Sequence, residues 1–200
     1  MIAELARALQ ERPPAVIAIG ASAGAVEALM HLLPELPADL RVPVLVVVHV
    51  PADRRSALPQ LFDRACALPT REAEDKIMPE PSTVYFAPPD YHLLVERDGA
   101  LALSVDEPVH HSRPSIDVLF DAVVEAHGSA AIGILLSGAS RDGAEGLARM
   151  HAAGAHTWVQ DPASASVAVM PRAALALAPH PTLGPRDMGR TIAQWSTHNG

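Results

Sequence analysis

The sequence predicts an α/β domain built on a mainly parallel sheet with an antiparallel hairpin, and three observations carry that expectation. VIAIG at 16–20, VPVLVVVHV at 42–50 and IGILL at 132–136 are short continuous apolar runs rich in Val and Ile, the pattern of strands buried on both faces. Helix-period segments alternate with them, AVEALMHLL at 25–33 after the first run and GAEGLARMHAAG at 143–154 after the third. Strand, helix, strand in that order is a βαβ unit. HLLVERDGALALS at 92–104 turns about Asp98-Gly99, which signals a hairpin.

The remaining elements follow in chain order. Ile2, Leu5 and Leu9 recur at helical spacing until Pro13-Pro14, so residues 1–14 read as a short docking helix or a frayed lead-in. A helix is expected over 56–67, a strand over TVYFA at 83–87, and a helix over 114–127 with Pro114 near its start. AHTWV at 155–159 reads as a strand, with helices at 171–178 and 186–196. No repeat, low-complexity tract or linker interrupts residues 15–200, which form one domain of ordinary size.

Composition narrows the function. The net charge is −8, and neither a Lys/Arg run nor an RNA-binding aromatic motif occurs, which argues against a nucleic-acid partner. The single cysteine, Cys66, rules out an internal disulfide. Its setting, LFDRACALP, is apolar and helix-like, and predicts a buried small hydrophobe. No apolar run reaches transmembrane length, and the N-terminus is too polar for a signal peptide. A cytoplasmic protein without membrane insertion is expected.

In an open parallel sheet the reactive crevice lies at the carboxyl ends of the strands, which directs attention to three loops. The first run ends in Gly20-Ala21-Ser22-Ala23-Gly24. This G-x-S-x-G turn gives a carbonyl close access to the serine. The helix that follows offers free N–H groups to an oxyanion, Ala23 among them. The second run ends in His49-Val50-Pro51; His49 is polar after a run of valines, and could accept a proton from Ser22, while Pro51 fixes the chain's exit. The third run leads into SGASRDGA at 137–144, where Asp142 could orient a histidine. Singly, Ser22 and Asp142 could be helix caps and His49 a hydrogen-bonded strand-end residue. Their coincidence at three strand ends of one sheet favours a catalytic serine. His110 and His111 would point apart on a strand, and no Cys or carboxylate spacing makes a zinc signature, so no metal is expected. His31 and His151 fall in helix patterns, where surface positions are the default. Arg113 opens a helix near the crevice and is a candidate substrate contact.

Six ordered segments, IGASAGAVEAL, VVHVP, VYFAPPDYHLLV, RPSIDVLF, LLSGASRDGAEGL and VQDPASASVAVMPRAAL, span about residues 15–180. Together they resemble the catalytic domain of the chemotaxis protein-glutamate methylesterases, the CheB family. The resemblance implies a doubly wound α/β sheet with helices on both faces, and a Ser22–His49–Asp142 triad. It implies hydrolysis of glutamate γ-methyl esters on chemoreceptor helices or a related signalling protein, glutamine deamidation in some members, and no cofactor. The family usually carries an N-terminal receiver domain that covers the site. Only about fifteen residues precede the first strand here, so a stand-alone domain, ungated or regulated by a separate response-regulator chain, is expected.

The sequence departs from the family where Ala23 replaces a usual threonine, Ala25 a glycine, and Ala139 and Ser140 a methionine and a glycine. ADRRS at 52–56 stands where the family usually has Phe-Thr. These changes bear on substrate identity more than on reaction type. Three other readings stand beside the methylesterase. A nucleotide-binding module would need a G-x-G-x-x-G turn and an acidic residue after the second strand, where histidine stands. A non-catalytic signalling module of the same fold would not need the intact triad. A small-molecule esterase would share it.

Overall fold

The computed structural model describes residues 1–50 and 56–197. The expected exit at Pro51 and most of the ADRRS loop lie outside the described residues. The chain runs α1 (Ile2–Glu11), β1 (Val16–Ala21), α2 (Ala25–Leu32) with a 3₁₀ turn at Leu33–Glu35, then β2 (Val44–Val48), α3 (Leu58–Asp63), β3 (Thr70–Glu72) and β4 (Val84–Phe86). The hairpin strands β5 (His92–Val95) and β6 (Leu101–Ser104) follow, then α4 (Ile116–His127), β7 (Ala131–Leu135), α5 (Ala144–Ala152), β8 (His156–Gln160), α6 (Val169–Leu177), β9 (Thr182–Leu183) and α7 (Pro185–Thr197).

Seven strands form one sheet in the order β3-β4-β2-β1-β7-β8-β9, with every pairing parallel. From β1 the chain adds β2, then the edge strand β3, and inserts β4 between them; it then returns to β7 beside β1 and builds the other way through β8 and β9. The sheet is doubly wound, and its order reverses beside β1. The period of two along each strand divides the core: Ile17, Ile19, Val44 and Val46 face a cluster with Leu29, Phe62, Ile192 and Trp195. Val16, Ala18, Leu45 and Val47 face the other, with Phe120, Leu147 and Met170. Helices α1, α2, α3 and α7 therefore cover one face, and α4, α5, α6 and the hairpin the other. The β5–β6 hairpin is antiparallel, with Val95 opposite Leu101 across the Asp98-Gly99 turn.

Several expectations need correction. Strands β3 and β9, of three and two residues, were too short to carry a pattern. Helix α3 is shorter than the 56–67 expected. Cys66 falls just after it, outside any helix and only half-buried; desolvation, then the charge of Asp63, pushes its thiol up to about 11. That keeps it in the inert protonated form. His110 and His111 do not lie on a strand: both sit at positive φ, 49° and 63°, in a turn closed by Val109 and Ser112.

The N-terminal segment is a docked helix, not a frayed lead-in. Ala6 and Leu9 of α1 are buried, and the helix packs on α7. Arg12 donates to the Gly154 carbonyl, His156 Nε2 meets the Arg12 carbonyl at 2.9 Å, and Ala15 N–H donates to Ala130 at 2.8 Å. Those partners stand at the amino ends of β7 and β8, opposite the crevice, so α1 does not cover it. Leu9→Ala is expected to lower unfolding stability by about 2–5 kcal/mol, read from the denaturant midpoint. Deleting residues 1–12 should likewise lower the melting temperature without raising ester turnover per folded molecule.

Candidate active site

Strand order brings three loops together. β1 lies between β2 and β7, with Ala21 in register with Val48 and Gly20 with Leu135. Ser22 and His49 each stand one residue past those strand ends, and His49 N–H donates to the Ala21 carbonyl at 3.3 Å. The loop after β7 delivers Asp142. His49 Nε2 meets Asp142 Oδ2 at 2.7 Å. The His49 side chain is 14% exposed and that of Asp142 is fully buried.

The buried carboxylate is saturated with donors. Oδ2 accepts His49 and the Ile116 N–H at 2.7 Å. Oδ1 accepts the Ser115 hydroxyl at 2.8 Å and the Asp117 N–H at 3.1 Å. These N–H groups are the free first turn of α4, where the helix dipole favours an anion. Burial alone would raise the Asp142 carboxyl. The hydrogen bonds from His49, Ile116, Asp117 and Ser115 outweigh it and hold the group below the ordinary carboxylate range. Asp117 behaves oppositely: burial, helped by the Asp142 charge, pushes it up against the opposing Gly146 N–H. Asp142 is thus the member of the pair that gives up its proton more readily.

Neither Ser22 nor Asp142 is a helix cap. Gly24, in the left-handed region at φ 82°, caps α2, and Gly143 caps α5. Ser22 is half-buried; its N–H donates to Ser137 O and its carbonyl accepts Ala25 N–H, both at 2.9 Å. The Ala23 N–H meets no acceptor among the described residues and lies at an exposed position. Because His49 spends Nε2 on Asp142, Nδ1 is the nitrogen left for a serine proton. That is the reverse of the serine-protease assignment of the two ring nitrogens.

A cleft of about 480 Å³ opens beside His49, walled by Val50, Asp90, Pro108, His111 and Arg113 among others. Arg113 is there, but its guanidinium is engaged. Nε and Nη2 donate to Asp90 Oδ1 at 3.0 and 2.6 Å, and Nη1 donates to the carbonyls of Val105 and Asp106 at 2.8 and 3.0 Å. Sequence reasoning missed two supports. Ser115 both accepts Val118 N–H as the cap of α4 and donates to Asp142. His92, buried, accepts Ser115 N–H at Nδ1 and reaches the Glu107 carbonyl through Nε2, both at 3.1 Å. Ser115 followed by an apolar helix was a legible cap signal; its second bond depends on the tertiary fold. His110, Asp117 and Asp142 each bring one potential ligand atom within 4.8 Å of the others. Asp142 has two donors on each oxygen, and Asp117 Oδ1 accepts Gly146 N–H at 2.6 Å, which makes this set a hydrogen-bond network.

Comparison with known proteins identifies the family and the fold. A protein-family profile described as CheB methylesterase matches residues 17–192. The chain belongs to the CheB methylesterase family. It is 41% identical over 159 residues to a putative protein-glutamate methylesterase/protein-glutamine glutaminase of Leptospira interrogans, covering 80% of this chain and 82% of that one. It is 43% identical over 166 residues to a protein-glutamate methylesterase/protein-glutamine glutaminase of Bordetella parapertussis, covering 81% of this chain and 47% of the relative. The chain thus spans most of the first relative and about half of the second. The crystal structure of the Thermotoga maritima CheB methylesterase catalytic domain superposes with a TM-score of 0.83 at 27% identity, over 90% of this chain and 97% of that one.

The Asp142 cradle has a pH consequence. A carboxyl held below its unfolded value stabilises the fold fully above the unfolded pKa of about 4, and that stabilisation is lost as pH falls through the folded value. Ser115→Ala removes one of the bonds holding it down. The acid-unfolding midpoint of that variant should move to higher pH, measured by circular dichroism; an unmoved midpoint would deny Ser115 this role.

Proposed function

We propose that this chain hydrolyses γ-methyl esters of glutamate side chains on a methylated chemoreceptor or related signalling protein, in the cytoplasm and through Ser22, His49 and Asp142. The observation that carries the reading is the 2.7 Å contact of His49 with a buried carboxylate, one strand from a serine in a glycine-flanked turn. His49 Nδ1 takes the Ser22 proton as Oγ attacks the ester carbonyl, and Asp142 stabilises the imidazolium that forms. The Ala23 N–H holds the oxyanion. Collapse expels methanol, protonated by His49. Water, deprotonated by the same imidazole, then releases glutamate. Attack on a glutamine amide forms the same acyl-enzyme with ammonia as leaving group, so glutamine deamidation is the natural second activity.

In this reading residues 15–200 are the catalytic domain and residues 1–14 a stabilising helix. Arg113 serves the substrate by holding the cleft wall in shape, since its guanidinium is already engaged. No cofactor is required by these steps. Among the described residues no helix is long and apolar enough to cross a membrane, in keeping with a substrate met from the aqueous side.

Ser22→Ala should lower methanol release from a methylated receptor fragment by about 10⁴-fold, because triad members act as a unit. It should also abolish labelling by a fluorophosphonate. Near-normal turnover in that variant would remove Ser22 from the mechanism.

A further inference from the structure

We infer that Ser137 is a positioning residue for acyl transfer: it grips the nucleophile turn from beneath and fixes the peptide that presents the Ala23 N–H. The inference rests on the reading of Ser22 as nucleophile. Ser137 follows β7 by two residues and is fully buried. Its backbone carbonyl accepts Ser22 N–H at 2.9 Å. Its hydroxyl donates to the Ala23 carbonyl at 2.7 Å. One residue thus holds the peptide groups on both sides of the Ser22–Ala23 bond.

Geometry turns that grip into an aim. The carbonyl of the intervening peptide, Ser22 O, is drawn toward Ala25 N–H at 2.9 Å. In a planar trans peptide the N–H points opposite to the carbonyl, so the Ala23 N–H is directed away from the helix that its partner group faces. With both neighbouring peptides tied to Ser137, the central one cannot rotate independently. Gly24 makes the approach feasible: a Cβ there would stand 2.7 Å from Ser137 Oγ and 2.8 Å from Ser166 Cβ, at a φ of 82° that glycine adopts without penalty.

Ser137 is itself anchored. Its N–H donates to Gln160 Oε1 at 2.8 Å, and Gln160 Nε2 donates to the Ser164 carbonyl at 3.1 Å. The Ser137 hydroxyl also accepts Val167 N–H at 2.9 Å. The nucleophile turn is therefore referenced to β8 and the loop after it, while His49 and Asp142 are referenced to β2 and α4. A donor shifted from the oxyanion's path costs rate at the chemical step and leaves ground-state binding alone.

The test compares Ser137→Ala with Ser137→Thr, using p-nitrophenyl acetate and a fluorophosphonate on the full chain. Ser137→Ala should lower kcat by about 10- to 100-fold, leave KM within about twofold, and slow fluorophosphonate labelling of Ser22 in parallel. Ser137→Thr, which keeps the hydroxyl, should restore most of both rates. Circular dichroism and melting temperature verify folding. Should Ser137→Ala not fold, Ser137→Cys, a weaker donor, takes its place with the same expected fall. Wild-type kcat in the hydroxyl-deleted variant overturns the inference, as does a folded threonine variant no faster than the alanine one. A further arm separates this from the parent reading: if Ser22→Ala keeps turnover, the nucleophile is wrong. If Ser22→Ala is dead while Ser137→Ala runs at full rate, only the positioning role is lost.

Discussion

A single buried anion organises this molecule. The Asp142 carboxylate has no exposure to solvent, and an ionised carboxylate so placed is costly unless hydrogen bonds replace its water. The replacement comes from the first turn of α4, and so α4 must approach the ends of β1 and β7 closely. Ile116 makes the approach visible. A Cβ on Gly20 would fall 2.2 Å from Ile116 Cγ2, and one on Gly143 would fall 2.5 Å from the same atom. Any larger residue at either position would push Ile116 outward and pull its N–H away from Asp142. Gly20 is also the first glycine of the Ser22 turn, so one small residue serves both that turn and the Asp142 cradle.

Given that fixed acid, the sheet order supplies the rest. Placing β1 between β2 and β7 sets Ser22 between the loops that carry His49 and Asp142, with no long-range loop needed to bridge them. The reversal of strand order beside β1 leaves a crevice at this point, as in other doubly wound sheets. His49 is held at its ring by Asp142 and at its backbone by Ala21, so its second nitrogen has a defined direction before substrate arrives.

The elements legible in the sequence were those whose signal is local. β1, β2 and β7 appeared as apolar runs because both of their faces are covered, and α2, α4 and α5 as periodic stripes because only one of theirs is. β3 and β9 were illegible because edge strands of two or three residues hold no period and are defined by their neighbours. Ser22, His49 and Asp142 drew attention through their loop positions at strand ends, and of these the structure joins His49 to Asp142 by a hydrogen bond. Ser115, His92 and Ser137 were not, because their roles are bonds made across long stretches of chain. Arg113 attracted attention by its charge, but the same charge is spent on Asp90 and on two backbone carbonyls. The His110–His111 pair was misread because adjacent residues alternate only on a strand, and these two occupy the left-handed region of a tight turn.

Where the chain departs from its family, burial explains what the departures leave intact. Ala23 and Ala139 lie at exposed positions, so a change of side chain there does not touch the carboxylate cradle. The groups that hold Asp142 and the Ser22 turn, Ser115, Ser137, His92 and Gln160, are all buried and bonded to backbone or to Asp142. His92 extends this support outward: through the Glu107 carbonyl it ties the first turn of α4 to the segment that Arg113 also grips, next to the cleft. The cleft wall and the buried Asp142 carboxylate thus share one frame.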